Sequence, residues 1–249
     1  MTKILIFIFS LFSGMAILAQ RPGVNPLFIS DMRTDQLFGN VHSVTEQTFK
    51  INYERRVIEQ GEFVGATTRT YNFDGSISTE TTNDSSGELL TRTIYQYANG
   101  VKSVSTTYGA NGERTLQTLY AFTADSVCAR MRCTDAIGVT FCTSEVSHKT
   151  NWAMIEESFA DGENVATEYF YNSALRLTKI IANSNGNRRE TQFTLDNSGH
   201  PRRAVTKGNG RKITVDYVYK LDELGNWTER VASVNGTPSE ITFRTIEYY

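Results

Sequence analysis

The chain is expected to be all-β: antiparallel β-hairpin repeats of about 24 residues each, laid out as a long twisted or spiralling meander sheet. Three observations predict this. An aromatic marker recurs at Tyr71, Tyr95, Tyr120, Tyr169, Phe193 and Tyr217, with gaps of 24, 25, 49, 24 and 24 residues. The double gap leaves room for a degenerate copy near Val146. Glycines that favour tight turns fall at about half that interval, at Gly75, Gly87, Gly100, Gly112, Gly138, Gly162, Gly186, Gly199, Gly210, Gly225 and Gly236. Between the turns, side chains alternate with period two, as strands packed on one face require.

In chain order, the opening MTKILIFIFSLFSGMAILAQ has one early Lys, an apolar run and a small-residue end. Residues 1–19 read as a secretory signal peptide cut after Ala19, with an uncleaved anchor as the alternative. The protein is therefore expected outside the cytoplasm, in the periplasm, at the cell surface or beyond, with no transmembrane helix once the signal is removed. Residues 20–36 read as a linker, and residues 37–249 as the hairpin-repeat domain. "LFGNVHSVTEQTF" begins the sheet and "ITFRTIEYY" closes it.

Within each unit an aromatic strand alternates with a plainer one. In "KITVDYVYKL", Ile213, Val215, Tyr217 and Tyr219 share one face, opposite Lys212, Thr214 and Asp216. In "TYNFDG" the pair is Tyr71 and Phe73. Equivalent aromatic residues in neighbouring hairpins lie about 9.6 Å apart, so small and β-branched residues of the intervening strand must fill the gap. Turns this short exclude crossover helices.

The formal net charge is −2, which disfavours a general nucleic-acid binder. Of three cysteines, Cys133 and Cys142 flank "TDAIGVTF". A two-residue turn at Ile137-Gly138 would set them directly opposite each other, where a disulfide is possible.

"YKLDELGNWTER", with Asp222, Gly225 and Asn226, resembles the tyrosine-aspartate (YD) repeats of Rhs-type proteins, and "LFGNVHSVTEQTF" resembles the first strand of small exported YD-like proteins of the Bacteroidetes type. The resemblance covers roughly residues 37 to 249. It implies long antiparallel sheets that curl into spirals or shells, and an extracytoplasmic scaffold or binding surface.

No catalytic or cofactor motif is present. His42, His148 and His200 lack paired spacing, no GxSxG or GxxxxGK[ST] occurs, and Asp161, Asp196 and Asp222 sit at turn corners. No metal or cofactor is expected. Two sets of residues are candidates for ligand binding. Arg188, Arg189, Arg202, Arg203, Lys207, Arg211 and Lys212 belong to a stretch, residues 176–212, with nine Lys or Arg against two acids. They could form one patch for an anionic glycan, lipopolysaccharide or surface protein, or simply a solvated face. Trp152 and Trp227 occupy matching places in "NWAMIEESFADG" and "GNWTERVASVNG", either as sugar platforms or as packed turn residues.

The leading expectation is an exported, non-enzymatic β-repeat scaffold or binding module. The alternatives are an outer-membrane β-barrel and a glycan-active enzyme. Against the barrel, "VKSVSTTY" and "TTRTYNF" are expected to put Ser, Thr, Lys or Arg against lipid.

Overall fold

The computed structural model describes residues 31, 35–54, 57–98, 100–122, 128–149, 152–174 and 176–249. The expected signal peptide lies outside them. Among the described residues there are sixteen strands: β1 (Val41–Glu54), β2 (Val57–Tyr71), β3 (Ile77–Asn83), β4 (Leu89–Ala98), β5 (Val101–Gly109), β6 (Arg114–Phe122), β7 (Cys128–Thr134), β8 (Thr140–Lys149), β9 (Trp152–Phe159), β10 (Asn164–Tyr171), β11 (Leu177–Ser184), β12 (Asn187–Leu195), β13 (Pro201–Gly208), β14 (Arg211–Leu221), β15 (Trp227–Val234) and β16 (Thr237–Tyr248). Each pairs antiparallel with the next, as the turn rhythm requires.

The sheet is neither open nor spiral. It closes as a barrel, with β1 pairing β16 from Val41↔Tyr248 to Lys50↔Glu240. Closure removes the two free edges that a long meander would otherwise expose. The segments expected to begin and to end the sheet pair with each other.

The turns have a common construction. Asp84, Asp135, Asp196 and Asp222 each accept backbone N–H bonds through Oδ1, and a following glycine takes positive φ (Gly87, Gly138, Gly199, Gly225). The β7–β8 turn is longer than two residues. Asp135 and Val139 bracket it, and Gly138 donates its N–H back to the Asp135 carbonyl. A register shift after Cys133 absorbs the extra residue. Cys133 and Cys142 therefore still face each other, joined by a disulfide.

The aromatic marker strands are the even-numbered ones, and their markers point inward. Val218 is 69% exposed, while Tyr217 and Tyr219 on either side are half-buried. Tyr71, Tyr95, Tyr169 and Tyr171 are buried. The plain strands fill the gaps between them: Ser105 lies opposite Tyr95 and meets the Tyr120 hydroxyl at 3.2 Å, Ile180 opposes Tyr169, and buried Ala204 opposes Phe193. Two apolar clusters result. One joins Met131, Ala153, Ile155, Tyr169, Tyr171 and Ile180; the other joins Leu37, Val41, Val44, Tyr71, Ile77 and Tyr95. Phe73 departs from the expected pair. It lies in the β2–β3 turn, 72% exposed, edge-on to Tyr249.

The outward side chains of the even-numbered strands are mixed, with apolar Ile94, Leu119, Phe170, Val218, Ile241 and Phe243 among charged and polar ones. Ladders of outward pairs include Arg130–Glu145 (2.9 Å), Arg203–Asp216 (2.5 Å) and Lys220–Glu229 (2.6 Å). Threonines line the outside of the β1–β2 seam, where Thr45 and Thr68 bond at 3.0 Å.

Candidate functional site

Two inner features stand out. The first is a strap at the mouth that holds the β2–β3, β12–β13 and β14–β15 turns. Asp31 is buried, its Oδ1 accepting from Lys102 Nζ at 3.0 Å and its Oδ2 from the Tyr97 hydroxyl and the Ile77 N–H, each at 2.8 Å. Asp35 accepts a short hydrogen bond from the Tyr71 hydroxyl. Gln36 Oε1 lies 2.6 Å from His200 Nδ1, and Asn226 brackets the Phe38 backbone, accepting from its N–H at 2.7 Å and donating to its carbonyl at 3.1 Å. Asp31 thus sits against β3–β5, while Gln36 and Phe38 sit against the β12–β13 and β14–β15 turns. The stretch expected as a linker is, at Asp31, Asp35 and Gln36, fastened to the barrel. Burial raises the hydroxyl pKa of both Tyr71 and Tyr97, and the neighbouring Asp35 and Asp31 carboxylates raise it further.

The second feature is a charged band on the inner face across the closing seam. Glu46 accepts from Arg244, and Arg69 Nη1 lies 3.7 Å away. Arg69 Nε donates to Glu80 at 2.6 Å. Burial alone would raise the Glu46 carboxyl, but Arg244, Arg69 and Arg230 outweigh it and hold the pKa below the ordinary range. Arg244 also lies 3.6 Å over the Trp227 ring and Arg230 5.0 Å from it. Beside this band, β14–β16 present a rung of Tyr217, Ala232 and Glu240, next to a rung of Tyr219, Arg230 and Thr242. Burial raises the Glu240 carboxyl, partly offset by Arg230.

The candidate residues distribute differently from the expected single patch. Strand β13 places Arg202 and Arg203 near one end of the barrel and Lys207 near the other, about 15 Å away along the strand. Arg203 is paired with Asp216, and Arg188 with Glu190 at 2.9 Å. Lys207 directly opposes Lys212, with Arg211 opposite Gly208 and Arg189 on the adjoining strand. Five exposed cations, Arg188, Arg189, Lys207, Arg211 and Lys212, therefore share the rim around the β11–β12 and β13–β14 turns. Arg202 and Arg203 do not join them.

The tryptophans are not equivalent. Trp152 faces outward, half-buried opposite Phe170, and donates its indole N–H to Glu168 at 3.0 Å. Trp227 faces inward and is 5% exposed. A register shift between Lys220 and Leu221 accompanies its inward placement, because one extra residue reverses the alternation. Neither ring is a bare platform. The expected placement of Lys102 and Arg69 against lipid also fails. Both face inward and are buried, Lys102 at 2% exposure.

No family model matches the chain, and no curated protein does. Among solved structures, a porin-like protein from Bacteroides uniformis aligns with TM-score 0.58 at 15% identity, over 83% of this chain and 98% of that one. A porin-like protein from Bacteroides vulgatus aligns at TM-score 0.45 and 13% identity, over 85% and 99%. A TcdB2-TccC3-Cdc42 complex gives TM-score 0.22 at 7% identity, and the match spans 19% of its length. Only the first reaches the level of a shared fold, and it is a likeness of architecture. Closure and that likeness favour the barrel alternative over an open scaffold.

Proposed function

We propose that the protein is an exported, non-enzymatic β-barrel that works in water, as a binding or structural module whose basic rim meets an anionic glycan, lipopolysaccharide or surface protein. The observation that carries this is the direction of its side chains. The outer face bears Glu145, Glu156, Glu168 and Glu190 in mid-strand and Arg130, Lys179, Arg203 and Lys220 near one rim, among apolar Ile94, Leu119, Phe170, Val218, Val231 and Ile241, and the inner face bears the tyrosine clusters. A lipid-facing barrel carries an uninterrupted apolar band on its outside, and these mid-strand carboxylates interrupt it.

An outer-membrane barrel is the second reading. Sixteen-strand antiparallel closure and the porin-like likeness support it. Fractionation of the producing cells separates the two. Release by osmotic shock without detergent supports the water-facing barrel. Retention in a carbonate-washed membrane pellet, with heat-modifiable gel mobility, supports the membrane barrel. For the rim, salt elution from immobilised polygalacturonate should fall sharply when Arg188, Lys207, Arg211 and Lys212 are changed together to Ser. Unchanged retention would remove the rim from the proposal.

A further inference from the structure

We propose that the strap end of the barrel docks on a zwitterionic lipid surface, through an apolar cap that straddles the closing seam. This goes beyond the reading above, whose basic rim lies at the opposite end, and it leaves the barrel wall in water. The exposed large apolar side chains at the strap end are Phe38 on the strap, Phe73 in the β2–β3 turn, Leu221 and Leu224 at the β14–β15 turn, and Tyr248 and Tyr249 at the chain end. Phe73 lies edge-on to Tyr249, their ring centroids 5.5 Å apart. A Cβ on Gly39 would meet both Leu224 Cδ1 and the Tyr248 ring at 3.2 Å, so these two side chains flank the strap at one point. Phe38 lies over Gly225, the next residue after Leu224. Polar bonds beneath hold the cap outward. Asn226 donates to the Tyr248 hydroxyl at 3.0 Å, and that hydroxyl donates to Asp222 at 3.1 Å. The Tyr249 N–H donates to the Asn40 carbonyl at 3.0 Å, and its hydroxyl to the Tyr71 carbonyl at 2.5 Å.

Two observations point to lipid as what covers the cap. The first is where the rest of the chain joins it. Asp31 accepts from the Ile77 N–H at 2.8 Å, just after the turn that carries Phe73. The chain before Asp31 therefore reaches the barrel at the capped end. It contains Leu27, Phe28 and Ile29, within about 14 Å of chain from Asp31, and the apolar run from Ile4 to Phe12 further back. An apolar N-terminal segment in a bilayer would draw this end, and no other, toward the surface. The second observation is charge. Asp74 and Glu223 stand exposed beside Phe73 and Leu224. Of the outward cations near this rim, Arg130, Arg203 and Lys220 are each paired with a carboxylate. The cap thus lacks the free basic charge that draws anionic lipid, and its contact is apolar. Tyrosine and phenylalanine rings over a polar base suit the headgroup layer, where one side is apolar and the other wet. The rings come from four separate segments, so each enters a fluid layer independently, whereas a protein partner must match all four at once. Docked this way, the barrel stands on end and turns its basic rim away from the bilayer.

The test mixes the chain, as its cells export it, with phosphatidylcholine vesicles and separately with vesicles doped with phosphatidylglycerol. The expected result is co-sedimentation with phosphatidylcholine that persists at high salt and is not strengthened by the anionic lipid. The triple variant Phe38→Ser, Phe73→Ser, Leu224→Ser, which alters only exposed side chains, should weaken it at least about tenfold. A nitroxide on Phe73→Cys in a Cys128→Ser background gives a readout that does not depend on the triple variant folding. With vesicles it should gain relaxation by oxygen and lose relaxation by a soluble nickel chelate, while the same label on Val218→Cys stays in water. Failure to bind phosphatidylcholine overturns the proposal, as does parent-level binding by the folded triple variant. Binding only to anionic vesicles, abolished by salt, also overturns it and assigns the contact to charge. A dimer that forms in solution and is lost in the triple variant would assign the cap to a second copy instead. A Phe73 label that stays in water, with Val218 also in water, sinks the docking alone. Val218 in hydrocarbon sinks the water-facing reading, and end-on docking with it.

Discussion

Replacing Asp31 by Ala removes the acceptor of three buried donors at once. Lys102 Nζ, the Tyr97 hydroxyl and the Ile77 N–H all converge on this one carboxylate, and Lys102 is 2% exposed. Breaking a buried ion pair from one side costs about 3–5 kcal/mol, because the remaining charge is left without compensation. Tyr97 keeps a bond to the Ile77 carbonyl at 2.8 Å, so its share of the loss is small. For a chain of this size each kcal/mol lowers Tm by about 2–4 °C, which gives a fall of about 6–20 °C. The assay is thermal and urea unfolding of parent and variant, followed by far-UV circular dichroism. The double variant Asp31→Leu with Lys102→Met should recover most of the loss, since apolar replacement of a buried pair is often neutral or better. An Asp31→Ala protein within about 1 kcal/mol of the parent would refute the reasoning, by showing that Lys102 does not depend on the strap.

Other outcomes follow from the same geometry. Glu46→Ala leaves the Arg244 and Arg69 guanidinium groups without their shared carboxylate and should cost about 3–5 kcal/mol in urea unfolding, whereas Glu229→Ala, at an exposed pair with Lys220, should cost less than about 1 kcal/mol. Because the Glu46 pKa is lowered in the folded protein, its contribution is present above the ordinary carboxylate range and is lost as pH falls through the folded value. A titration of Tm between pH 6 and 3 should therefore be flatter in Glu46→Gln than in the parent. Burial lowers the His200 pKa despite Asp196, so the unfolded state binds its proton first. Stability should fall on acidification below about pH 6.5, and His200→Gln should remove that component from the Tm profile. Reduction of Cys133–Cys142, which closes a loop of sequence separation 9, should cost about 2–3 kcal/mol, read as a drop in Tm with dithiothreitol.

Much of this architecture was legible because it is local. The turn glycines and their Asp partners, the alternation in "KITVDYVYKL" and the 24-residue marker depend on neighbours within one hairpin, and strand by strand the barrel follows them. The opposition of Cys133 and Cys142 was also legible, although the turn that produces it is longer than the two residues expected. Closure was not. The pairing of Val41–Lys50 with Glu240–Tyr248 joins positions about 200 residues apart, and no short-range pattern distinguishes two paired edges from two free ones.

The inner charges were hidden for another reason. Arg69, Lys102, Glu46 and Arg244 break the apolar pattern on the face that is buried, and alternation alone assigns such residues to water. Only their mutual pairing, set by the registers of β16, β1, β2 and β3 and by the strap, accounts for their burial. Trp227 was misread through its local resemblance to Trp152, because a single bulge reverses its facing. The basic stretch looked like one patch in sequence, but a strand of eight residues carries its two ends to opposite rims.

The facing of the strands is most directly tested at Val218, the exposed residue between Tyr217 and Tyr219. A nitroxide attached to Val218→Cys, in a Cys128→Ser background and measured in the protein as its cells export it, reports whether that position meets water or lipid. A water-facing barrel predicts strong relaxation by a soluble nickel chelate and weak enhancement by oxygen. Strong oxygen relaxation with exclusion of the chelate would place Val218 in hydrocarbon and contradict the account.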